Sequence, residues 1–124
     1  MADSVCQLFN LLDVAHRARD GMNRALEPFE LTEATFGLLY RLQKGSQTNK
    51  ALAEAASCAP SNITRLMDRL QELGLVERQP APGDRRRLHA TLTPEGERRY
   101  AAAVAALQDT QAALLARVVE LADG

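Results

Sequence analysis

Two clusters of polar side chains in this 124-residue sequence have the chemistry to contact a nucleic acid. The first is a short stretch that contains Ser61, Asn62, Thr64 and Arg65. Asparagine and arginine can form paired hydrogen bonds with the edges of adenine and guanine, whereas serine and threonine can contact a phosphate or a base. These side chains are therefore suited to reading base pairs, provided that one element presents them together.

A basic triplet forms the second cluster, with Asp84 in front of Arg85, Arg86 and Arg87. Arginine at the end of a thin ribbon can enter a narrow minor groove, where the negative potential of DNA is enhanced. The whole chain has a formal net charge of -1, but residues 61–89 hold six arginines against four acidic residues. Positive charge is thus concentrated here, although a solvated helix face or a charged turn would each carry such residues too.

An amphipathic helix is predicted to carry the first cluster. Pro60 suits the first helical position and Gly74 suits a C-terminal stop. The apolar residues between them recur every three or four positions: Ile63, Leu66, Met67, Leu70 and Leu73. A shorter helix over residues 48–56 precedes, so the pair predicts a helix-turn-helix whose second helix enters a major groove. Arg69, one turn beyond the first cluster, is then expected to reach the phosphate backbone.

After Gly74 the pattern changes from helical to strand-like. Residues 75–79 are strand-like, and in residues 88–92 apolar side chains alternate with His89 and Thr91, as in a half-buried strand. We expect a β-hairpin whose long basic tip comprises residues 80–87. Pro80 and Pro82 would restrict this tip and keep the hairpin from pairing with another sheet edge.

Long helices are predicted on both sides of this segment. Residues 4–27 and 94–122 carry apolar side chains at helical spacing, and a shorter helix capped by Thr32 follows the first of them. A helix of about 27 residues is about 40 Å long, so a domain of this size cannot cover its whole apolar stripe. A second copy of the chain would cover it.

These elements predict a mainly α fold with a small β-hairpin wing, a winged helix-turn-helix with long N- and C-terminal dimerisation helices. The chain length is near that of one domain. We therefore expect a single domain over residues 1–124. Within it, residues 28–96 form a DNA-binding lobe, and residues 4–27 and 94–122 form the dimerisation helices.

Other classes of protein find little support in the composition. No run of about 18 apolar residues occurs, and Asp3 and Gln7 stand where a signal peptide would be basic or apolar, so we expect a cytoplasmic protein without a membrane partner. Cys6 and Cys58 lie far apart and no metal-ligand cluster occurs, so we expect no disulfide framework, no metal and no cofactor. No nucleophile, base and orienting group can be placed together, which argues against an enzyme.

Several segments resemble the MarR family of transcription regulators. Residues 52–54 and 61–70 resemble that family's helix-turn-helix, and residues 73–78 its first wing strand. Asp84-Arg85-Arg86, followed by residues 92–96, resembles its wing signature. The combined match is specific, although each segment is common by itself.

This resemblance implies a homodimer that holds two recognition helices over successive major grooves of a pseudo-palindromic operator. It also implies that Arg86 enters the minor groove and that Asp84 pairs with a nearby arginine to hold the wing. Most family members are repressors, and a small anionic or phenolic ligand or thiol oxidation typically releases them from DNA.

The sequence departs from the family pattern at three places. Ala59 and Ser57 stand where the family usually has a capping side chain and a turn glycine. We therefore expect the first hydrogen bonds of the recognition helix to come from Ser57 or Ser61. Only 28 residues follow Gly96, too few for the further helix that the family usually adds, so we expect a smaller or differently built dimer interface.

Candidate effector residues are less distinctive. Met22, Phe36 and Tyr40 are placed to line a ligand crevice between the dimer helices and the DNA-binding lobe, although aromatic residues at helical spacing usually form core. Cys6 lies near the start of the first helix, where some relatives sense oxidants, but it also suits a small apolar contact. Cys58 is assigned to packing.

The order of the elements predicts a sequence-specific DNA-binding transcription regulator, a ligand- or oxidant-responsive repressor that acts as a homodimer. Its expected partners are double-stranded DNA, a second copy of itself and a small phenolic or anionic effector. The alternative is a winged-helix module that binds only protein. Such a module has no need of three consecutive arginines at the wing.

Overall fold

The computed structural model describes residues 2–81, 83–110 and 112–123, without the side chains of residues 2, 81, 84–86, 109, 110, 113, 114 and 121–123. Its elements are α1 (Ala2–Leu26), a 3₁₀ helix (Glu27–Phe29), α2 (Glu33–Leu42), β1 (Gln47–Thr48), α3 (Asn49–Ala56), α4 (Pro60–Glu72), β2 (Val76–Ala81), β3 (Asp84–Leu92), α5 (Pro94–Thr110) and α6 (Ala112–Asp123). The chain is mainly helical with one small sheet, which confirms the predicted fold class. It forms two compact units: the winged unit (Ala34–Ala102), and the terminal-helix unit (Met1–Glu33 with Ala103–Gly124).

Helices α3 and α4 form the helix-turn-helix of the winged unit. Thr48 caps α3, because its hydroxyl oxygen accepts a hydrogen bond from the amide of Ala51 at 3.1 Å. Ser57 ends α3 in the left-handed region with a φ of 53°. The amide of Cys58 then donates to the carbonyl of Ala53 at 3.0 Å. The turn into α4 is therefore held by backbone hydrogen bonds.

The start of α4 has a main-chain cap. Ala59 lies at the N-cap position, and its carbonyl accepts hydrogen bonds from the amides of Asn62 and Ile63 at 3.0 and 3.2 Å. The expectation that Ser57 or Ser61 supplies the first hydrogen bonds is wrong for the described residues. Ser57 instead ends α3, and α4 has no side-chain cap hydrogen bond.

The sheet of the winged unit has three antiparallel strands in the order β1-β3-β2. Strands β2 and β3 form the wing. Strand β1 joins it by pairing Gln47 and Thr48 with Ala90 and His89 of β3. The sequence predicted only the hairpin, because a strand of two residues is too short to show alternation.

The paired part of the wing is longer than the sequence predicted. Strand β2 continues through Pro80, which pairs with Leu88, to Ala81, which pairs with Asp84. The prediction of a long tip over residues 80–87 is therefore wrong: the arginine triplet belongs to β3, at a register shift between these two pairs. Proline is tolerated here because β2 is at the edge of the sheet.

A hydrophobic core joins the helices of the winged unit to its sheet. Its fully buried side chains include Leu38, Leu39, Leu52, Ile63, Met67, Leu70, Leu75 and Val76. Helix α5 starts beside this core, where the Thr93 hydroxyl accepts from the amide of Gly96 at 3.0 Å and donates to the carbonyl of Gly74 at 2.6 Å. A Cβ on Gly96 would collide with the carbonyl oxygen of Leu75, so the close approach of α5 to the residue before β2 requires glycine.

The terminal-helix unit exposes apolar side chains on two helices that contact each other, α1 and α6. The exposed apolar residues of α1 include Val5, Leu8, Phe9 and Leu12, and those of α6 include Leu115, Val118 and Val119. More than half of the Leu8, Phe9 and Leu115 surfaces is accessible in one chain. An apolar surface of this kind is typical of a face that another molecule covers.

The single helix predicted over residues 94–122 is described as two helices, α5 and α6. The prediction of an unbroken helix depends on Gln111 between them, which lies outside the described residues. None of the helices in the described part is long and apolar enough to cross a membrane.

Candidate nucleic-acid interface

Helix α4 brings together the four residues predicted to contact bases. Its inner face is fully buried and includes Ile63, Met67 and Leu70. Its outer face near the N-terminus is exposed or half-buried and consists of Ser61, Asn62, Thr64 and Arg65. A helix of this kind can lie in a major groove with these side chains toward the base edges.

Asn62 connects the turn before α4 with this outer face. Its Nδ2 donates to Sγ of Cys58 at 3.8 Å, and its Oδ1 accepts a hydrogen bond from Nη2 of Arg65 at 2.5 Å. Cys58, which the sequence assigned to packing alone, is half-buried and makes this polar contact. The sequence did not reveal the contact because it depends on side-chain geometry across the turn.

Thr64 also makes hydrogen bonds within the protein. Its hydroxyl donates to the carbonyl of Pro60 at 3.1 Å and accepts from Nδ2 of Asn49 at 3.2 Å. Because Asn49 is the first residue of α3, this contact joins the two helices of the helix-turn-helix. Sequence analysis missed Asn49, and the available signal was a polar side chain directly after the Thr48 cap.

Arg69 lies one turn beyond Arg65 on the same helix. Its Nη1 is 3.8 Å from Oε2 of Glu72, and 54% of its side chain is exposed. An exposed pair of this kind contributes little to stability.

Arg78 of β2 connects the wing to α4. Its Nη2 lies 2.6 Å from Oδ1 of Asp68, and its Nε donates to Oε1 of Gln71 at 2.7 Å. Only 17% of the Arg78 side chain is exposed, so these hydrogen bonds are partly shielded from water. The family resemblance assigned the wing-holding pair to Asp84, whose side chain lies outside the described residues. Arg78 was missed because its position is that of an ordinary strand residue.

A cleft of about 240 Å³ lies between the start of α3 and strand β3. It is lined by Thr48, Asn49, Lys50, Arg87 and Leu88. Two exposed cationic side chains thus face one cleft, which suits a phosphate of the DNA backbone. Sequence analysis named Arg87 but missed Lys50, whose proximity to the wing depends on β1 pairing with β3. The side chains of Arg85 and Arg86 lie outside the described residues.

Phe36 and Tyr100 form an aromatic stack inside the winged unit, with ring centroids 5.2 Å apart and an interplanar angle of 11°. Burial raises the pKa of the Tyr100 hydroxyl, and the nearby Tyr40 phenol raises it further. Phe36 is buried and Tyr40 is exposed, whereas Met22 belongs to the terminal-helix unit. Phe36 therefore has a packing role, and ligand binding by Met22, Phe36 and Tyr40 stays a prediction.

Both thiols are free, with Cys6 exposed and Cys58 half-buried. Exposure is one of the two conditions for a reactive thiol, and the role of Cys6 as an oxidant sensor stays a prediction. In the described part of the chain, no three His, Cys, Asp or Glu side chains are grouped so that they could hold a metal ion.

Comparison with solved structures shows what class of protein has this fold and site. A variant of MarR from E. coli, in complex with operator DNA, matches with a TM-score of 0.79 at 27% identity, over 92% of this chain and 84% of that chain. CouR from Rhodococcus jostii RHA1, bound to p-coumaroyl-CoA, matches with a TM-score of 0.77 at 30% identity, over 83% of this chain and 73% of that chain. The fold and the outer face of α4 thus define a winged-helix DNA-binding regulator, and a module that binds only protein is not supported.

Sequence comparison identifies the family. The MarR family model matches residues 31–88. The multiple antibiotic resistance protein MarR of Salmonella typhimurium is 30% identical over 96 residues, which cover 76% of this chain and 67% of that protein. The uncharacterized HTH-type transcriptional regulator YhbI of Bacillus subtilis is 37% identical over 73 residues, but the match spans only 47% of its length. The chain belongs to the MarR family, which confirms the resemblance.

Proposed function

We propose that this chain is a transcription regulator that binds a pseudo-palindromic operator as a homodimer and represses transcription. The observation that carries the proposal is the outer face of α4, which lies beside a wing that Arg78 ties to the same helix. Helix α4 enters the major groove and the wing follows the minor groove. The DNA-contacting residues of the proposal are Ser61, Asn62, Thr64, Arg65, Arg69, Asp84, Arg85, Arg86 and Arg87.

Dimerisation is proposed through the exposed apolar residues of α1 and α6. Their side chains are accessible in one chain, and a second copy related by a two-fold axis would cover them. A dimer also places two copies of α4 at a fixed spacing, which is what a pseudo-palindromic operator requires. In this proposal the chain is a single domain that works in the cytoplasm and has no enzymatic activity.

A small effector is proposed to control DNA binding. CouR, a structure of similar fold, is bound to p-coumaroyl-CoA, which contains both a phenol and anionic phosphates. We extend this to a phenolic or anionic effector for the present chain, with Met22, Phe36 and Tyr40 as candidate contacts. Oxidation of the exposed Cys6 is the alternative signal.

The DNA-binding proposal is tested by measuring affinity for a random duplex and for a selected operator as the salt concentration rises. Neutralised phosphates release counterions, so we expect affinity to fall roughly a thousandfold or more between about 50 and 200 mM salt. Arg86→Ala should weaken binding to both duplexes by a similar factor, because a minor-groove arginine of this kind responds mainly to groove potential. Absence of binding at low salt, or an affinity independent of salt, would contradict the proposal.

A further inference from the structure

The two hydrogen bonds of Asn62 bear on which side chain of α4 reads a base. We propose, on the basis of the function proposed above, that within the DNA-contacting face of α4 Asn62 positions Arg65 and does not itself read a base. It holds the guanidinium of Arg65 in the orientation that reads one base pair, and Cys58 fixes the orientation of Asn62. The sequence alone had given Asn62 and Arg65 equal roles at the base edges.

The chemistry of Arg65 determines how the Asn62 amide is turned. A guanidinium carries only hydrogen-bond donors, so the Asn62 atom that lies 2.5 Å from Nη2 of Arg65 must be Oδ1. The amide nitrogen is then directed toward the preceding turn, where Sγ of Cys58 accepts from it at 3.8 Å. The Asn62 amide therefore forms hydrogen bonds at both ends, with Cys58 four residues before it and with Arg65 three residues after it.

This orientation is unfavourable for reading adenine. A paired contact with adenine needs the amide oxygen and nitrogen directed together at the base, and Asn62 is half-buried with both atoms engaged. Arg65 is exposed, and its bond to Asn62 uses only one of five N–H donors. Its other donors suffice for O6 and N7 of guanine, the commonest specific contact of arginine. We therefore expect a guanine opposite Arg65 in the operator.

The hydrogen bonds of Thr64 and Cys58 also support a positioning role for polar side chains at the start of α4. Thr64 is engaged with Pro60 and Asn49, so its hydroxyl also serves the helix-turn-helix internally. Cys58 is itself anchored, because its amide donates to the carbonyl of Ala53. A continuous series of contacts thus leads from α3 through Cys58 and Asn62 to Arg65. Its effect is to reduce the freedom that the long arginine side chain would lose on binding.

The test is a binding-site selection with the full-length protein, followed by affinity measurements for every base at each operator position. Arg65→Ala should reduce the preference for guanine at one position by about tenfold to a hundredfold. Asn62→Ala should reduce the preference at that same position by roughly two- to tenfold, since it removes only the positioning of the arginine. The double variant should be no less selective there than Arg65→Ala. Gln43→Ala is the control, because it removes an exposed amide side chain outside α4 and the wing and should leave the preference at every position unchanged.

Two results would overturn the positioning role. One is a loss of preference at a different base pair in Asn62→Ala, with effects that add in the double variant, because an independent reader behaves in that way. The other is an unchanged selectivity in Asn62→Ala. A wild-type protein that binds DNA without any sequence preference would instead overturn the proposed function, so the two failures are distinguishable.

Conservative variants keep the test valid if Asn62→Ala does not fold. Asn62→Asp loses the donor to Cys58 but gives Arg65 a charged acceptor, which binds a guanidinium more strongly than an amide oxygen does. We therefore expect the guanine preference to persist while the affinity for all sequences falls through repulsion of the phosphates. Cys58→Ala should reduce the preference at the Arg65 position, whereas Cys58→Ser keeps an acceptor and should restore it. Equal selectivity of these two Cys58 variants would remove Cys58 from the proposal.

Discussion

Single side chains determine how firmly the wing is attached to the recognition helix, α4. Arg78 joins β2 to Asp68 and Gln71 through two short hydrogen bonds, and little of its side chain is exposed. The pair of Arg98 with Glu95 differs, because 70% of the Arg98 side chain is exposed. An arginine–carboxylate pair is therefore expected to contribute more to the free energy of unfolding at Arg78 than at Arg98.

Replacing Arg78 is expected to destabilise the protein. Arg78→Ala removes the hydrogen-bond donor of Asp68 and Gln71. We expect a loss of about 1 to 2 kcal/mol in the free energy of unfolding. This is the lower part of the range for hydrogen bonds to a charged group, because water screens the half-exposed Asp68. Urea unfolding followed by circular dichroism measures it. Arg98→Ala is the control and should change stability much less. Equal losses in both variants would show that shielding of Arg78 is unimportant.

The pH dependence of Glu95 provides a second residue-scale prediction. The hydrogen bond from Arg98, with a smaller effect of Arg99, lowers the pKa of Glu95 below its ordinary value of 4.5. Since the pKa is lower in the folded state, the interaction stabilises the protein above the unfolded value and is lost as the pH falls through the folded value. Arg98→Ala should raise the pKa of Glu95 toward 4.5 in a carbon-13 NMR titration. An unchanged pKa would contradict this assignment.

At the scale of elements, glycines decide how closely helices approach their neighbours. Gly96 in the first turn of α5 lies against the backbone of Leu75, whereas a Cβ on Gly37 of α2 would meet only the end of the Arg41 side chain at 3.1 Å. Helix propensity favours alanine over glycine at both positions. The effect of an alanine on stability therefore differs between Gly96 and Gly37 because of packing.

Gly96→Ala and Gly37→Ala form a matched pair of variants. We expect Gly96→Ala to lower the free energy of unfolding by roughly 1 to 3 kcal/mol, because the rigid backbone of Leu75 must move. Gly37→Ala should change it by less than about 1 kcal/mol, because a flexible side chain can give way and helix propensity offsets the cost. Thermal unfolding of both variants measures the difference. Similar values would indicate that α5 moves away from Leu75 without cost.

The cleft between α3 and β3 leads to a prediction about phosphate contacts. If Lys50 and Arg87 each neutralise one phosphate, Lys50→Ala and Arg87→Ala should each reduce the slope of log affinity against log salt by about 1 and weaken binding to all sequences alike. Lys44→Ala is a control of equal charge, because Lys44 is exposed but does not line this cleft. A slope that changes equally in all three variants would indicate a general charge effect rather than a phosphate site.

At the scale of the whole molecule, the exposed apolar side chains of α1 and α6 bear on assembly. Phe9, on α1, is 63% exposed in one chain. Phe9→Glu introduces a charge into the proposed interface, so we expect a monomer in sedimentation at micromolar concentration and a loss of operator affinity. Asn10→Glu adds the same charge one residue away. This variant should sediment like the wild-type dimer, with a mass near twice that of one chain. A monomeric wild-type protein would contradict the dimer.

Part of this fold was predictable because it depends on local periodicity. Helix α4 starts at Pro60 and ends just before Gly74, as predicted, since proline, glycine and a three-and-four apolar spacing act within a few residues. The outer face of α4 followed from the same spacing. The short strand β1 and the true length of the wing did not follow, because pairing partners and edge position depend on residues distant in sequence.

The polar contacts of the candidate site were decided only by the tertiary structure. The sequence determined that Asn62, Arg65 and the arginine triplet occur on a helix-turn-helix and a wing, because composition and spacing are sufficient for that. It did not determine that Asn62 faces Cys58 and Arg65, that Arg78 holds the wing, or that Lys50 lies beside Arg87. Each of these contacts depends on how far apart two side chains lie in space, which the turn before α4 and the pairing of β1 with β3 fix only after folding.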